Sequence, residues 1–496
     1  MLLTRLQTRA EEQPQQPALK DHRGTLGYGE LYAAVVAVSA ALRKLDIKCL
    51  GLLMDNSPAW VIMDLAALHA GIIVVPLPGF FSGAQLRHVI DESGIDALCT
   101  DVDPPQDWPG FAGVDAPLPS TRLYLAAGTR NGQKYPAGTA KVTFTSGTTG
   151  TPKGVCLGAA AMFAVAQSVV QATANCDIKQ HLCLLPLSQL LENINGVYAP
   201  LLAGATVALP GSDERGLHGS RQLDIRKLFQ CLHAYRPDSL VLVPQMLKAL
   251  TMACAQGMAV HDSLRFVAVG GARVSSGLLD AARQAGIPAF EGYGLSEAAS
   301  VVSLNTPGDE RAGSAGRPLA HVQLKISADD EILVSGANML GYTGHSVAQD
   351  KWYASGDLGY LDEDGFLFLT GRRKNMFVTA YGRNVNPEWP ESELLRFPEI
   401  AQAVVFGEAR EHNVAVIQPA SEQLPDSLIE KCINEVNAAL PDYARVHEWI
   451  RARQPFSPGN GLLTASGKTR RDAVWNLHQL QIESINPAGT DSRKVC

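Results

Sequence analysis

The chain contains no Cys-x-x-Cys pair, no dense run of lysine or arginine, no internal repeat and no low-complexity block. Each absence removes a class of function. Its nine cysteines (49, 99, 156, 176, 183, 231, 254, 432 and 496) are scattered and odd in number, which argues against a disulfide framework or a zinc site and for a reducing cytosol. A net charge of −7 without a basic cluster argues against nucleic acid as a partner. The N-terminus, with Arg5, Arg9, Glu11 and Glu12, lacks the apolar core of a signal peptide. The longest apolar stretch, Ala66 to Phe81, is broken by His69, Pro76 and Pro78, so no integral membrane segment is expected. The expectation is a cytoplasmic enzyme of ordinary globular composition, 46% hydrophobic and 18% charged. At 496 residues it is too long for one hydrophobic core, so two or more domains are expected.

Periodicity supplies the fold class, α/β. Helix-like runs at Leu31–Leu45 and Ala59–Ala70 alternate with short apolar runs at Cys49–Met54 and Ile72–Val75, which predicts parallel β/α layers. Further strands are predicted at Cys183–Leu185, Thr206–Leu209, Leu240–Val243 and Phe266–Val269. Helices are predicted at Ala159–Ala174, Ile225–His233, Gln245–Ala255 and Ser276–Ala285. From about 313 to 370 the chain turns strand-rich, with runs at Val322–Ile326, Glu331–Val334 and Phe366–Leu369, as in a β subdomain. The expected boundary is Gly371-Arg372, dividing residues 1–371 from an α+β unit at 372–488 with strands Ala403–Phe406 and Val414–Gln418 and a helix over Ser427–Leu440. Residues 489–496 read as a tail.

Residues 141 to 154 carry the strongest chemical signal. A β-prone run (Val142, Thr143, Phe144) opens into Thr145, Ser146, Gly147, Thr148, Thr149 and Gly150, followed by Lys153. Glycine lets backbone N–H groups approach an anion, hydroxyls donate, and lysine adds a point charge, which together suit a triphosphate. It is not a Walker A loop, because Pro152 stands where that motif needs glycine.

Three later blocks supply partners. Tyr293 offers a flat apolar face for an adenine, Ser296 a donor for the α-phosphate, and Glu297 a hard oxygen for Mg2+. Asp357, at the end of a tight Gly turn, is suited to accept from two ribose hydroxyls, and the acidic run at 362–364 reads as a solvated hairpin turn. Late in the chain, Ser466-Gly467-Lys468 presents an ammonium group.

The order of these blocks resembles the acyl-adenylate-forming (AMP-binding) superfamily of acyl-CoA synthetases and peptide-synthetase adenylation domains. Its Tyr-Gly-x-Thr-Glu signature is matched with Ser296 in place of threonine. The resemblance implies a large N-terminal domain of layered sheets and a small mobile C-terminal domain. It implies that Gly270-Gly271-Ala272 faces the adenine, that Arg372 is a second ribose contact, and that Lys374 is the hinge. It assigns Lys468 to bridging carboxylate and α-phosphate, so the expected catalytic set is Lys468, Glu297, Ser296 and Lys153. Rotation at the hinge would bring Tyr381-Gly382-Arg383-Asn384 to the site for thioester formation.

The segment Leu184-Leu185-Pro186-Leu187-Ser188-Gln189-Leu190-Leu191-Glu192-Asn193 is similar to Leu-Pro-Leu-x-His-x-x-Glu of long-chain acyl-CoA synthetases, with Gln189 replacing histidine. The expected acyl pocket is Gln189, Asn193, Val243, Gly270 and Gly294, and Glu192 has a structural role. The implied substrates are ATP with Mg2+, a fatty or other apolar carboxylic acid, and a thiol from CoA or from the phosphopantetheine of a separate acyl carrier protein. Three alternatives stand beside this: an amino- or aryl-acid ligase loading a stand-alone carrier, transfer to a non-thiol nucleophile, and a non-catalytic sensor. The last is disfavoured by the joint presence of Lys153, Glu297, Asp357, Arg372 and Lys468.

Overall fold

Helix Pro58–Ala70 is apolar except at Asp64 and His69, and Trp60 through Ala67 are buried without a break. A helix of that kind belongs between two layers. Ser57 caps it by accepting from the Trp60 N–H, and Gly71 ends it in the left-handed conformation at φ 76°. The computed structural model describes residues 2–101, 110–126, 135–145, 152–218, 222–346, 351–464 and 467–485.

A nine-stranded sheet lies on each side of that helix. One runs Arg317–Pro318, Ser300–Leu304, Ala289–Leu295, Phe266–Val269, Ser239–Leu242, Gln180–Leu182, Thr206–Ala208, Pro17–Asp21, Gly24–Gly27. It is parallel from Ala289–Leu295 through Pro17–Asp21. The other runs His345–Ser346, Gly341–Tyr342, Lys153–Gly158, Thr139–Thr145, Ile73–Pro76, Cys49–Leu53, Ala97–Thr100, Arg122–Ala126, Phe111–Val114. It is parallel from Thr139–Thr145 through Ala97–Thr100.

Side-chain alternation sorts each strand between layers. Leu50 and Leu52 join Leu19, Val207 and the central helices in the inner core, whereas Cys49 and Leu53 join Leu86, Val89 and Ile90 of helix Gly83–Ser93 outside. On the far side, Leu182, Leu240 and Val267 pack with Leu228, Leu247 and Leu278 of helices Ile225–Tyr235, Pro244–Ala255 and Ser276–Gln284.

Besides two two-stranded ribbons, a four-stranded and a three-stranded sheet lie beyond these. The first has strands Gln323–Ile326, Glu331–Ser335, Tyr353–Leu361 and Leu367–Arg372, and the second has Ile400–Phe406, Asn413–Pro419 and Val446–Arg451. Ala403, Val405 and Ile417 face helix Asp426–Ala439, while Val404, Val414 and Val416 face helix Arg471–Ser484.

Most predicted elements fall within a few residues of their observed bounds. The predicted strand Cys183–Leu185 is displaced, since the ladder occupies Gln180–Leu182. Polar Gln180 and His181 hid it: Gln180 donates to Tyr235 O, and the His181 ring is paired with Ser239 and Glu192, so both sit comfortably inside a core strand. The acidic turn at 362–364 is more than a solvated bend, because Arg311 bridges Asp362 at 2.8 Å and Asp364 at 2.6 Å. Helices Leu2–Glu12, Gly83–Ser93 and Arg471–Ser484 and strand Val446–Arg451 are additional to the sequence expectation.

Candidate active site

The phosphate-loop expectation rests on a hairpin. Strands Thr139–Thr145 and Lys153–Gly158 are antiparallel, with Thr145 opposite Lys153, so the intervening turn starts and ends at one place. Ser146, Gly147, Thr148, Thr149 and Gly150 lie outside the described residues, as does the side chain of Thr145. Lys153 is exposed at the mouth of the hairpin. Behind it the backbone is tightly packed: a Cβ on Gly154 would lie 2.7 Å from Thr343 Cγ2.

Strand Ala289–Leu295 brings in the second group. Gly294 is obligatory there, since a Cβ would fall 2.0 Å from the Ser300 carbonyl oxygen. Tyr293 is buried with Ala298, Val302 and Leu367, and its hydroxyl donates to Asp357 Oδ2 at 2.8 Å. Asp357 stands opposite Arg372 in the ladder between Tyr353–Leu361 and Leu367–Arg372, and Arg372 Nε meets its Oδ1 at 2.8 Å. Each carboxylate oxygen therefore already has one partner and one lone-pair direction left for a ligand hydroxyl. Burial pushes the Asp357 carboxyl up, while Arg372 and the Tyr293 hydroxyl act to keep it charged. For Arg372, burial alone would lower the guanidinium, but Asp357 and Glu388 outweigh it and raise it. Tyr293 thus orients Asp357, a role the sequence did not suggest.

Ser296 and Glu297 form a short turn after that strand. The Met339 N–H donates to Glu297 O at 2.7 Å, and the Tyr342 hydroxyl donates to Glu297 Oε1 at 3.3 Å. A half-buried carboxylate beside the mouth of the hairpin is the hard oxygen donor that Mg2+ takes, so the residues present fit that ion. Gly270, Gly271 and Ala272 follow strand Phe266–Val269: Gly270 is buried with its N–H on Leu242 O, while Gly271 (φ 84°) and Ala272 are exposed.

Lys468 approaches from the other end of the chain. It closes a small hairpin in which its N–H donates to Thr464 Oγ1 at 3.0 Å and the Thr464 N–H donates to its carbonyl at 2.7 Å. Its side chain is open to water yet crowded by protein on its flanks, as a residue lining a cleft is. That crowding lowers its pKa, Arg372 and Lys374 lower it further, and Asp357 and Glu388 oppose them. Lys374 is exposed, and burial of its surroundings and Arg372 lower it too. The structure thereby gathers Tyr293, Asp357, Arg372, Lys374 and Lys468 within electrostatic reach of one another.

The acyl segment divides. Gln189 and Val243 are half-buried at the starts of helical turns, available to a pocket. Asn193, expected in that pocket, is spent elsewhere. Its side chain is 1% exposed, accepts from Lys141 Nζ and donates to Asp64 Oδ2 at 3.3 Å. Glu192 is fully buried, where it accepts from the Leu185 N–H at 2.9 Å and faces His181 Nε2 at 3.1 Å. With Cys183, these two place ligand-type atoms within 4.8 Å of one another, but each already has a hydrogen-bond partner.

Sequence reasoning passed over the network beneath the loop. Lys141, on strand Thr139–Thr145, pairs with Asp64 Oδ1 at 2.8 Å and donates to the Tyr198 hydroxyl at 3.0 Å, with both charged side chains 1% exposed. The available signal was a lone aspartate inside an otherwise apolar helix, which in a core demands a cation.

Residues 6–342 match the family profile described as AMP-binding enzyme, and residues 374–487 match the AMP-binding enzyme C-terminal domain. The chain is similar to the 2-succinylbenzoate–CoA ligase of Bacillus pumilus (strain SAFR-032), 28% identical over 471 residues covering 89% of this chain and 91% of that protein. It is also similar to a long-chain-fatty-acid–CoA ligase of Mycobacterium tuberculosis (strain ATCC 25618 / H37Rv), 26% identical over 86% of each chain. Among solved structures, the anthranilate CoA ligase AuaEII in complex with anthranoyl-AMP superposes with a TM-score of 0.81 at 20% identity, covering 97% of this chain and 98% of that one.

Proposed function

Because the chain belongs to the AMP-binding enzyme family, we propose that it activates an apolar carboxylic acid with ATP to an acyl-adenylate, releasing pyrophosphate, and passes the acyl group to the thiol of CoA. The observation that carries this is the convergence of Lys468 on the Tyr293–Asp357–Arg372 group. Asp357 and Arg372 would hold the ribose, with the carboxylate fixed from two sides. The substrate carboxylate then attacks the α-phosphorus, where negative charge accumulates, and Lys468 sits where an ammonium can bridge the two anions. Glu297 would hold Mg2+, which when bound would supply charge neutralisation at the phosphates.

The acid has an apolar body. Relatives named for an aryl acid and for long-chain fatty acids support that class. The small domain starts at residue 372, with Lys374 as its hinge, and its movement exchanges Lys468 for the thioester-forming face.

The test is product analysis after supplying ATP, Mg2+ and a library of aryl and fatty acids, with CoA and without. Acid-dependent AMP and pyrophosphate, with acyl-CoA only when CoA is present, are expected; ADP as the product overturns the reading. Lys468→Ala is expected to lower acid-dependent pyrophosphate exchange by about two to three decades, the effect of removing one transition-state contact. Exchange near the parental rate would take Lys468 out of the mechanism.

A further inference from the structure

Lys248 lies on helix Pro244–Ala255 and is not a solvated lysine. Its Nζ donates to two backbone carbonyls, Phe397 O at 2.7 Å and Ile400 O at 2.9 Å. Those carbonyls belong to the turn joining helix Glu388–Leu394 to strand Ile400–Phe406, so one side chain ties the large body of the chain to the C-terminal sheet. Burial pushes its pKa down to about 8, with Glu399 opposing. Two further contacts surround the tie. Arg396, in the same turn, lies over Gly277, where a Cβ would come 3.1 Å from its Nη1. Arg273 stands 6.0 Å over the ring of Trp389.

Hydrogen bonds joined by short stretches of backbone lead from this turn to Lys468. Glu391, on helix Glu388–Leu394, accepts from the Val405 N–H at 2.7 Å and from the Arg471 guanidinium. Arg471 donates in turn to Val405 O at 3.0 Å and starts helix Arg471–Ser484, immediately after the Lys468 hairpin. The Arg470 N–H closes that hairpin on Leu462 O at 2.9 Å. The strand the tie anchors is thus the strand on which the hairpin is mounted.

We propose that Lys248 is a positioning residue for adenylate formation: by gripping the 397–400 turn it holds Lys468 beside Asp357 and Arg372. This rests on the reading of Lys468 as the cation of the first half-reaction. An ammonium has three donors and no acceptor, so two carbonyls at fixed spacing define its position closely. An arginine keeps the charge and can reach the same oxygens with a fork, whereas methionine keeps the volume and loses both bonds.

The test uses the full-length protein with Lys248→Met and Lys248→Arg. Pyrophosphate exchange is measured beside acyl transfer to CoA from chemically supplied acyl-adenylate, a step that does not use Lys468. Lys248→Met should lower exchange by about tenfold, the scale of lost charge-assisted hydrogen bonds, while transfer from supplied adenylate changes less than about twofold. Lys248→Arg should restore most of the exchange. In a Lys468→Ala background, Lys248→Met should lower exchange no further, as expected of two residues acting as one unit. Hydrogen exchange of the ligand-free protein gives a reading independent of turnover: Lys248→Met should deprotect amides at 397–406 and in the Lys468 hairpin. Equal loss in both half-reactions, full additivity with Lys468→Ala, or unchanged protection overturns the proposal. A parental protein without any acid-dependent exchange, but with the predicted deprotection, would overturn the functional reading and leave only the tie.

Discussion

Replacing Lys141 by methionine removes the cation from a pair in which both side chains are 1% exposed. Asp64 is left behind in the core between the two large sheets. Its Oδ1 loses the ion pair at 2.8 Å, while Oδ2 keeps the Tyr198 hydroxyl at 2.6 Å and the Asn193 amide at 3.3 Å. Lys141 also stands 5.7 Å over the Trp60 ring and 5.1 Å over the Tyr198 ring, contacts that methionine retains only as packing. Breaking one side of a buried pair costs about 3–5 kcal/mol, and the two surviving hydrogen bonds on Oδ2 place this case near the lower end, about 3 kcal/mol. Removing both charges with Lys141→Met/Asp64→Asn should cost only about 1–2 kcal/mol, because no uncompensated charge is left in the interior. The assay is urea unfolding at pH 7 followed by tryptophan fluorescence, completed with Asp64→Asn as a double-mutant cycle. A double variant as destabilised as the sum of the singles, or a Lys141→Met loss under about 1 kcal/mol, would refute the argument that a desolvated charge dominates here.

Glu291, buried on the same strand as Tyr293, has its carboxyl pushed up to about 8 by burial, with Arg273 opposing. Its folded value exceeds the unfolded one, so the stability it contributes is complete below about pH 4.5 and is lost as pH rises towards 8. Glu291→Gln should therefore leave the melting temperature unchanged at pH 4.5 and raise it at pH 8.5; a shift equal at both values would contradict this. Tyr293→Phe removes the hydroxyl that donates to Asp357 at 2.8 Å, and should raise KM for ATP by about three- to tenfold, the scale of one ordinary hydrogen bond since Arg372 still holds the carboxylate, without a comparable loss in melting temperature. Gly294→Ala places a Cβ 2.0 Å from the Ser300 carbonyl oxygen and should abolish acid-dependent exchange, whereas Gly286→Ala, with no atom within 4 Å of its Cβ but with φ 81°, should cost only about 1 kcal/mol of stability from backbone strain.

Elements with a single strong signal were readable from the chain alone. Phe266–Val269 is a strand as predicted, and Ile225–Tyr235 and Pro244–Ala255 extend their predicted helices by only a residue or two. The limits appear where polarity is satisfied out of sight. Strand Gln180–Leu182 starts with a glutamine and a histidine whose partners, Tyr235, Ser239 and Glu192, lie up to 58 residues away. Asn193 reads like a pocket amide in a one-dimensional motif, but Lys141, 52 residues earlier, takes its oxygen. Helix Arg471–Ser484 is mostly polar, buries only Val474, His478 and Ile482, and carries too thin an apolar stripe to announce itself. In the candidate site, residue types pointed to Asp357 and Tyr293 separately; the bond between them depends on the register of two sheets.

The order of the strands has a consequence at the ribosome. Leu19 finds its parallel neighbour in Val207, and Cys156 finds its antiparallel one in Gly341. At roughly 5–20 residues per second, the N-terminal hairpin waits on the order of ten to forty seconds with one bare edge before translation delivers its mate. The nascent polypeptide thus carries unfinished β-surface through most of its synthesis, and shielding by holdase chaperones or slow, cool expression should govern how much soluble material is recovered.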